Sequence, residues 1–345
     1  MPVPIASPAP ETAPVALSVV VPCYNEQEVL PAFHARLSAA LEDIGLPWEV
    51  VYVNDGSRDD TLAVMQQLRE ADGRVALINL SRNFGKEIAL TAGLDHARGS
   101  QAVVVIDADL QDPPEVIPEL VAAWREGFDM VYARRRVREG ETWLKKATAY
   151  AFYRLMRYIG GKVALPPDTG DFRLMSRRAT DALLRLREQH RFMKGLFAWV
   201  GYPSRPVFYD RAPRAAGTTK WNWWKLWNLS LEGITSFTVG PLKIATYLGL
   251  ATALFAAAYG VLIVVRTLLY GNPVAGYPSL MAVVLFLGGV QLMTLGIIGE
   301  YLGRIFNETK GRPLYLVERY LPGRPPEETE RRLEPVAAGA DRAGD

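Results

Sequence analysis

The chain has 345 residues, 49% of them hydrophobic, with 39 Lys and Arg against 37 Asp and Glu for a net charge of +2. A length of this order holds roughly one to three domains, and so small a net charge excludes the clustered basic surface that generic nucleic-acid binding needs. The one cysteine, Cys23, excludes an intramolecular disulfide and suits a reducing compartment.

Residues 1–16 are rich in Pro and Ala and lack the basic start of a signal peptide, so they are expected to be a disordered tail. Between Leu17 and Ala133, β-rich runs alternate with helical stretches. The runs Leu17–Val21, Trp48–Val53, Val75–Leu80, Ala102–Ile106 and Asp129–Ala133 are nearly continuous in Val, Ile and Leu, as suits strands buried on both faces of a parallel sheet. Helices are expected near Glu26–Glu42, Thr61–Ala71, Lys86–Ala97 and Glu115–Glu126. Asn25 with Glu28, and Ser57 with Asp60, have the spacing of capping boxes. The alternation predicts an α/β domain with right-handed crossovers, whose ligands bind at the carboxyl ends of the strands.

The stretch Arg134–Pro241 is less regular, with Gly140, Gly160–Gly161 and Pro166–Pro167 predicting loops and Arg173–Arg187 reading as a helix. Beyond it, Ile244–Val265 and Ser279–Gly299 carry no charge over 22 and 21 residues. At about 1.5 Å per residue each spans roughly 30 Å, the hydrocarbon thickness of a bilayer. The loop between them, Thr267–Pro278, has no Lys or Arg, whereas Lys220, Lys225, Lys243, Arg304, Lys310 and Arg312 lie on the outer flanks. The positive-inside rule then sets both flanks, and the catalytic domain, on the cytoplasmic side of a plasma (inner) membrane. Trp221, Trp223, Trp224 and Trp227 suit an amphipathic segment in the interface, or else a Trp-rich core helix. The expected order is a tail (1–16), a catalytic domain (17–219), a juxtamembrane segment (220–241), membrane helices (242–269 and 278–303) and a cytoplasmic tail (304–345). Gly288–Gly289, Gly296 and Gly299 would permit close helix packing, either within one chain or in a homo-oligomer.

The chemistry concentrates where strands end. In VVVIDADLQDPPE an apolar run leads into Asp107 and Asp109, and alternate residues at a strand end point the same way. Two such carboxylates, with Gln111 as a third oxygen donor, suit a hard divalent cation, Mg²⁺ or Mn²⁺, that keeps open positions for phosphate oxygens. An isolated Asp-x-Asp also arises by chance or as a helix cap; the preceding strand and the rigid Pro113–Pro114 exit favour the metal. In VVVPCYNEQEVL and VVYVNDGSRDDT, Glu26 suits a ribose hydroxyl and Asp55 a base N–H, while Asn25 and Ser57 read as well as helix caps.

Together these segments resemble the family 2 glycosyltransferases of GT-A fold over about Ser18 to Ala133. PDTGDFRLMSRRA, RFMKGLFAWVGY, YDRAPRAAGTTKW, SFTVGPLK and GEYLGRIFNETKGRPLY resemble its polyprenyl-phosphate glycosyltransferases, which include the bactoprenol glucosyltransferases and are similar to dolichol-phosphate mannose synthase. The resemblance implies an α/β GT-A-like domain with two C-terminal transmembrane helices. It also implies inverting transfer of one sugar from a nucleoside diphosphate sugar (UDP- or GDP-linked) to a polyprenyl phosphate at a lipid bilayer, with a divalent metal. On this sequence it implies Pro22, Tyr24, Glu26 and Asp55 for the nucleoside pocket, Asp107, Asp109 and Gln111 for the metal, and Asp168 and Asp171 facing the acceptor. Arg211 and Arg214 match a basic loop over the diphosphate. Lys86 either meets the diphosphate or is an exposed lysine at a helix start. After the last strand of the series come Arg134, Arg135, Arg136, Arg138, Lys145 and Lys146, either a solvated face that attracts anionic headgroups or, as the resemblance favours for Arg134 and more loosely for Lys145, the site of the acceptor phosphate. The rival readings are a processive membrane polysaccharide synthase, disfavoured because no Gln-x-x-Arg-Trp motif is present, and a non-enzymatic membrane scaffold that binds nucleotide sugar.

Overall fold

The structure, a computed structural model, describes residues 15–136, 169–210, 240–271 and 276–324. Its first half is a regular alternation: β1 (Leu17–Cys23), α1 (Leu30–Glu42), β2 (Trp48–Asn54), α2 (Thr61–Ala71), β3 (Val75–Leu80), α3 (Lys86–His96), β4 (Ala102–Val105), α4 (Ile117–Arg125) and β5 (Met130–Arg135). Then come β6 (Thr169–Ser176), α5 (Arg177–Leu184), α6 (Met193–Trp199) and β7 (Ser204–Tyr209). Two long helices, α7 (Gly240–Tyr270) and α8 (Tyr277–Thr309), precede a final strand, β8 (Val317–Leu321).

The eight strands form one sheet in the order β7-β5-β6-β4-β1-β2-β3-β8. β1 pairs in parallel with β2 and β4, β2 with β3, and β5 with β7, whereas β6 runs antiparallel to β4 and β5 and β8 antiparallel to β3. The parallel centre is dry on both faces: Val19, Val20, Val21, Val50, Val51, Val53, Val103, Val104 and Val105 are fully buried. Each such side chain contributes about 1.5–3 kcal/mol by leaving water. This explains why these strands read as continuous apolar runs instead of an alternating pattern. One face is closed by α1 and α4, with Phe33, Leu37 and Leu120 in the core, and the other by α3 and α6, with Leu90 and Leu196. β2 and β4 leave β1 in opposite directions, so the crevice between the carboxyl ends of β1 and β4 is the ligand position expected of such a sheet.

Several expectations are corrected. Arg173–Arg187 is not one helix: Thr169–Ser176 is strand β6 and the helix begins at Arg177. Ser176 caps it, its hydroxyl accepting from the Ala179 amide. The strand is decided by pairing, because β6 inserts between β4 and β5, a long-range choice that helix propensity does not register. Neither capping box forms. α1 starts at Leu30 without a side-chain cap, and α2 follows Asp60 without one. Asn25, at φ +57°, instead donates its amide to Ser57 Oγ and accepts from the Arg58 amide, lacing together the loops after β1 and β2. The carboxyl-terminal stretch 304–345 does not begin as a tail, since α8 runs on to Thr309 and β8 returns to the sheet.

Ala245–Tyr270 and Phe286–Thr309 are long and apolar enough to cross a membrane, and neither is buried against the rest of the molecule. Gly288, Gly289, Gly296 and Gly299 have open space where a Cβ would stand, so among the described residues they are not spent on packing α8 against its own chain. The Trp-rich segment 220–239 lies outside the described residues.

Candidate functional site

β4 ends at Val105, so Asp107 and Asp109 lie in the turn beyond it. Strand alternation therefore does not aim them; the turn does. Leu110 takes φ +58°, and Asp109 Oδ1 accepts from the Gln111 amide at 3.1 Å. A partner for Asp107 comes from the neighbouring strand. Extending the β4–β6 register two residues past Val105↔Arg173 sets Asp107 opposite Asp171. The cation between them is Lys86, the first residue of α3, whose Nζ lies 2.6 Å from Asp107 Oδ2 and 2.8 Å from Asp171 Oδ2. Three residues assigned separate roles from the sequence thus form one cluster, and Lys86 is neither an isolated surface lysine nor simply a helix start.

The electrostatics follow from the order of charges. Burial would raise the Asp171 carboxyl, but the cations of Lys86 and Lys194 outweigh it and hold it at about 2. Burial pushes Asp107 up, and Lys86 opposes the push. The Lys86 ammonium sits well above its usual range: burial would lower it, but the two carboxylates prevail. Glu87, next on α3, is raised to about 8, first by burial and then by the charge of Asp171. Its carboxylate also accepts from the Met193 amide, tying α3 to the start of α6. Arg173 is buried over the Phe197 ring at 3.6 Å, and burial lowers it to about 10. It donates to the Asp171 and Gly170 carbonyls, holding the end of β6 in place. Asp171 Oδ1 is buried and accepts no hydrogen bond among the described residues.

A second group, missed in the sequence, adjoins the first. Asp112, buried, accepts from the Tyr209 hydroxyl; Arg135 donates to that hydroxyl at 3.2 Å and lies 3.9 Å from Asp112. The arrangement needs the end of β7 beside the end of β5, a non-local pairing; the only local trace was the extra Asp in LQDPPE. Arg134, by contrast, packs its guanidinium 5.6 Å from the exposed Phe208 ring.

The loops after β1 and β2 form the opposite wall. Asp55 is 3% exposed, and its two oxygens accept from the Phe84 and Gly85 amides at 2.7 and 3.0 Å. Asp55 thereby shapes the loop that delivers Lys86. Gly56, at φ +63°, allows that loop to pass, since a Cβ there would lie 2.5 Å from the Asn83 amide nitrogen. Tyr24 is 38% exposed, and the Glu26 amide donates to Thr61 Oγ1. Pro22 pairs in the β1–β2 ladder. Asp168, Lys145, Arg211 and Arg214, with Arg138 and Lys146, lie outside the described residues.

The donor set offered to a metal is Asp107, Asp109 and Gln111, all oxygen and all in one turn, with the Asp107 side chain 29% accessible. It fits a hard divalent cation and not a soft one. Among the described residues no three His, Cys, Asp or Glu side chains close a complete cage.

Residues 18–184 match the family model described as glycosyl transferase family 2, and residues 240–305 match the one described as the GtrB C-terminal hairpin. An uncharacterized glycosyltransferase of Synechocystis sp. is 53% identical over 313 residues, covering 89% of this chain and 98% of that protein. The bactoprenol glucosyl transferase of Shigella phage SfII is 48% identical over 309 residues, covering 90% and 99%. Among solved structures, glucosyl-3-phosphoglycerate synthase of Mycobacterium tuberculosis, crystallised with Mn²⁺, UDP and glucosyl-3-phosphoglycerate, superposes with a TM-score of 0.45 at 21% identity, covering 64% of this chain and 78% of that one.

Proposed function

Because this chain belongs to glycosyltransferase family 2, we propose that it transfers one sugar from a nucleoside diphosphate donor, UDP-linked, to a polyprenyl phosphate, with inversion at the anomeric carbon. The observation that carries the acceptor is the near full-length likeness to a bactoprenol glucosyl transferase, including the apolar hairpin.

In this reading Tyr24 offers its ring to the base, with Pro22, Glu26 and Asp55 beside it. Asp107, Asp109 and Gln111 would hold Mg²⁺ or Mn²⁺, which when bound supplies positive charge to the departing diphosphate. Arg211 and Arg214 are assigned to that diphosphate. Lys86 holds Asp107 and Asp171 close together, so the site is ordered before substrate arrives and spends little on reorganisation. The acceptor is a phosphate, already anionic at neutral pH, so no strong general base is required. Asp171 then orients: its Oδ1, without a partner among the described residues, is an acceptor that a hydroxyl of the sugar would satisfy. Arg134 and Lys145 are assigned to the lipid phosphate, and Asp168 to the acceptor. A guanidinium matches phosphate geometry well.

The hairpin α7–α8 anchors the enzyme in a bilayer, with both flanks on the cytoplasmic side. Membranes supplied with a panel of labelled nucleotide sugars should pass one label into the lipid phase with polyprenyl phosphate and none with free polyprenol. Equal use of the alcohol would reject the phosphate acceptor. Reporter fusions within 272–275 and after Asp345 should report opposite sides; a common side would reject the two-span topology.

A further inference from the structure

After the second apolar helix the chain returns to the catalytic sheet as β8, and its one acidic side chain reaches the nucleotide-side loops through a continuous series of hydrogen bonds. Glu318 Oε2 accepts from Asn79 Nδ2 at 2.7 Å. Asn79 Oδ1 accepts from Asn54 Nδ2 at 2.7 Å. Asn54 Oδ1 accepts from the Ser57 amide at 3.2 Å, and Ser57 Oγ from the Asn25 amide at 3.1 Å. The series crosses β8, β3 and β2 in sheet order and ends between Tyr24 and Glu26. Asn54 and Asn79 are buried at 3% and 8% exposure.

Each link depends on the one before it. An Asn side chain has one acceptor and one donor end, and either orientation suits an isolated pair. A carboxylate only accepts, so Glu318 dictates which end of Asn79 faces it. That choice presents Asn79 Oδ1 to Asn54, which in turn leaves Asn54 Oδ1 for the Ser57 amide. Without Glu318, Asn79 Nδ2 loses its acceptor, and the buried pair is held from the Ser57 end alone. Flipping Asn54 would aim an NH₂ group at the Ser57 N–H, donor against donor. Networks of this kind are stiffer than their separate bonds, because each buried group left unpaired is costly.

We propose that Glu318 is a positioning residue for the donor pocket: the strand that follows the membrane hairpin orients the loops 24–26 and 54–57 through Asn79 and Asn54. The chain that leaves the catalytic domain for the apolar helices completes the donor site only on its return. This rests on the assignment of Tyr24 and Glu26 to the nucleoside.

The test is steady-state kinetics of the full-length enzyme in lipid with four variants. Glu318→Ala should raise the donor KM about threefold to tenfold, the effect of one hydrogen bond lost from a polar network. Its kcat should fall less than twofold, and its KM for polyprenyl phosphate should stay put. Glu318→Gln, which keeps an acceptor oxygen, should recover most of the donor KM. Arg319→Ala, a neighbour on β8 outside the series, should behave as the parent, separating loss of the relay from loss of the strand. Tyr24→Ala should raise the donor KM in its own right. If Tyr24→Ala leaves it unchanged, the pocket assignment fails. If Tyr24→Ala raises it and Glu318→Ala does not, the relay is overturned, as it is if Arg319→Ala matches Glu318→Ala or Glu318→Gln recovers nothing.

Discussion

The Nζ of Lys86 lies 2.8 Å from Oδ2 of Asp171, joining the first residue of α3 to the third residue of β6, 85 positions further along the chain. The same ammonium holds Asp107 at 2.6 Å, so one cation serves two carboxylates. Lys86→Met should leave those carboxylates to repel each other and should lower kcat by about a hundredfold, the scale seen when one preorganised charge is lost from a site. The Lys86 side chain is 45% exposed whereas Asp171 is buried, so some stability should be lost as well, but less than turnover. A large drop in melting temperature beside near-normal turnover would contradict this division. Lys86→Arg should rescue poorly, because a planar fork does not replace a point charge between two oxygens.

Asp109 lies in the turn after β4, beyond the buried strand, and its Oδ1 accepts from the Gln111 amide. Asp109→Asn should therefore abolish transfer while shifting the melting temperature little. Chelator should abolish transfer by the parent enzyme, and Mg²⁺ or Mn²⁺ should restore it. Activity that survives chelation would rule out the metal role of the Asp107–Asp109–Gln111 turn.

Glu87 should give stability a pH slope. Its folded value, about 8, lies above the ordinary glutamate value of about 4.3. The folded state thus holds a proton that the unfolded chain has released. Its contribution is full below about pH 4, declines as pH rises and is gone above about pH 8. The groups that set this are Asp171 across the site, Lys86 beside it, Lys194 on α6 and the Met193 amide. Asp171 acts oppositely: held at about 2, it contributes stability above about pH 4 that is lost as pH falls toward 2. Melting curves of Glu87→Gln between pH 5 and 8 should be flatter than those of the parent. An unchanged slope would show that Glu87 is ionised in the fold.

Gly93, in the middle of α3, is a position that cannot accept a methyl group. A Cβ there would stand 2.2 Å from Val20 Cγ1 and 3.0 Å from Val53 Cγ2, both in the sheet core. Gly93→Ala should gain helix propensity yet destabilise by about 1–3 kcal/mol through overpacking. Gly45→Ala, at φ +67° with open space around it, should cost less and for a different reason, backbone strain alone. Chemical denaturation of the two variants would compare these costs directly.

The five runs of Val, Ile and Leu named strands within about two residues, and α2 coincides with its expected span. Those elements were legible because their burial pattern is written locally: a strand buried on both faces must be apolar throughout, and a helix repeats at its own period. The two apolar helices were legible for the same reason, since length and lack of charge are properties of a contiguous segment. Asp107 and Asp109 were found because an acidic turn after an apolar run is visible in one dimension. What their neighbours would be was not. Only the sheet order, with β6 between β4 and β5, sets Asp171 opposite Asp107, and only the position of α3 carries Lys86 between them. Asp112 meets Tyr209 because β7 pairs with β5, and Glu318 meets Asn79 because the chain comes back after the hairpin to pair with β3. Local burial and propensity determined which segments became elements. Long-range pairing, whose loop-closure entropy is repaid by buried contacts far apart in the chain, decided which charges share a site.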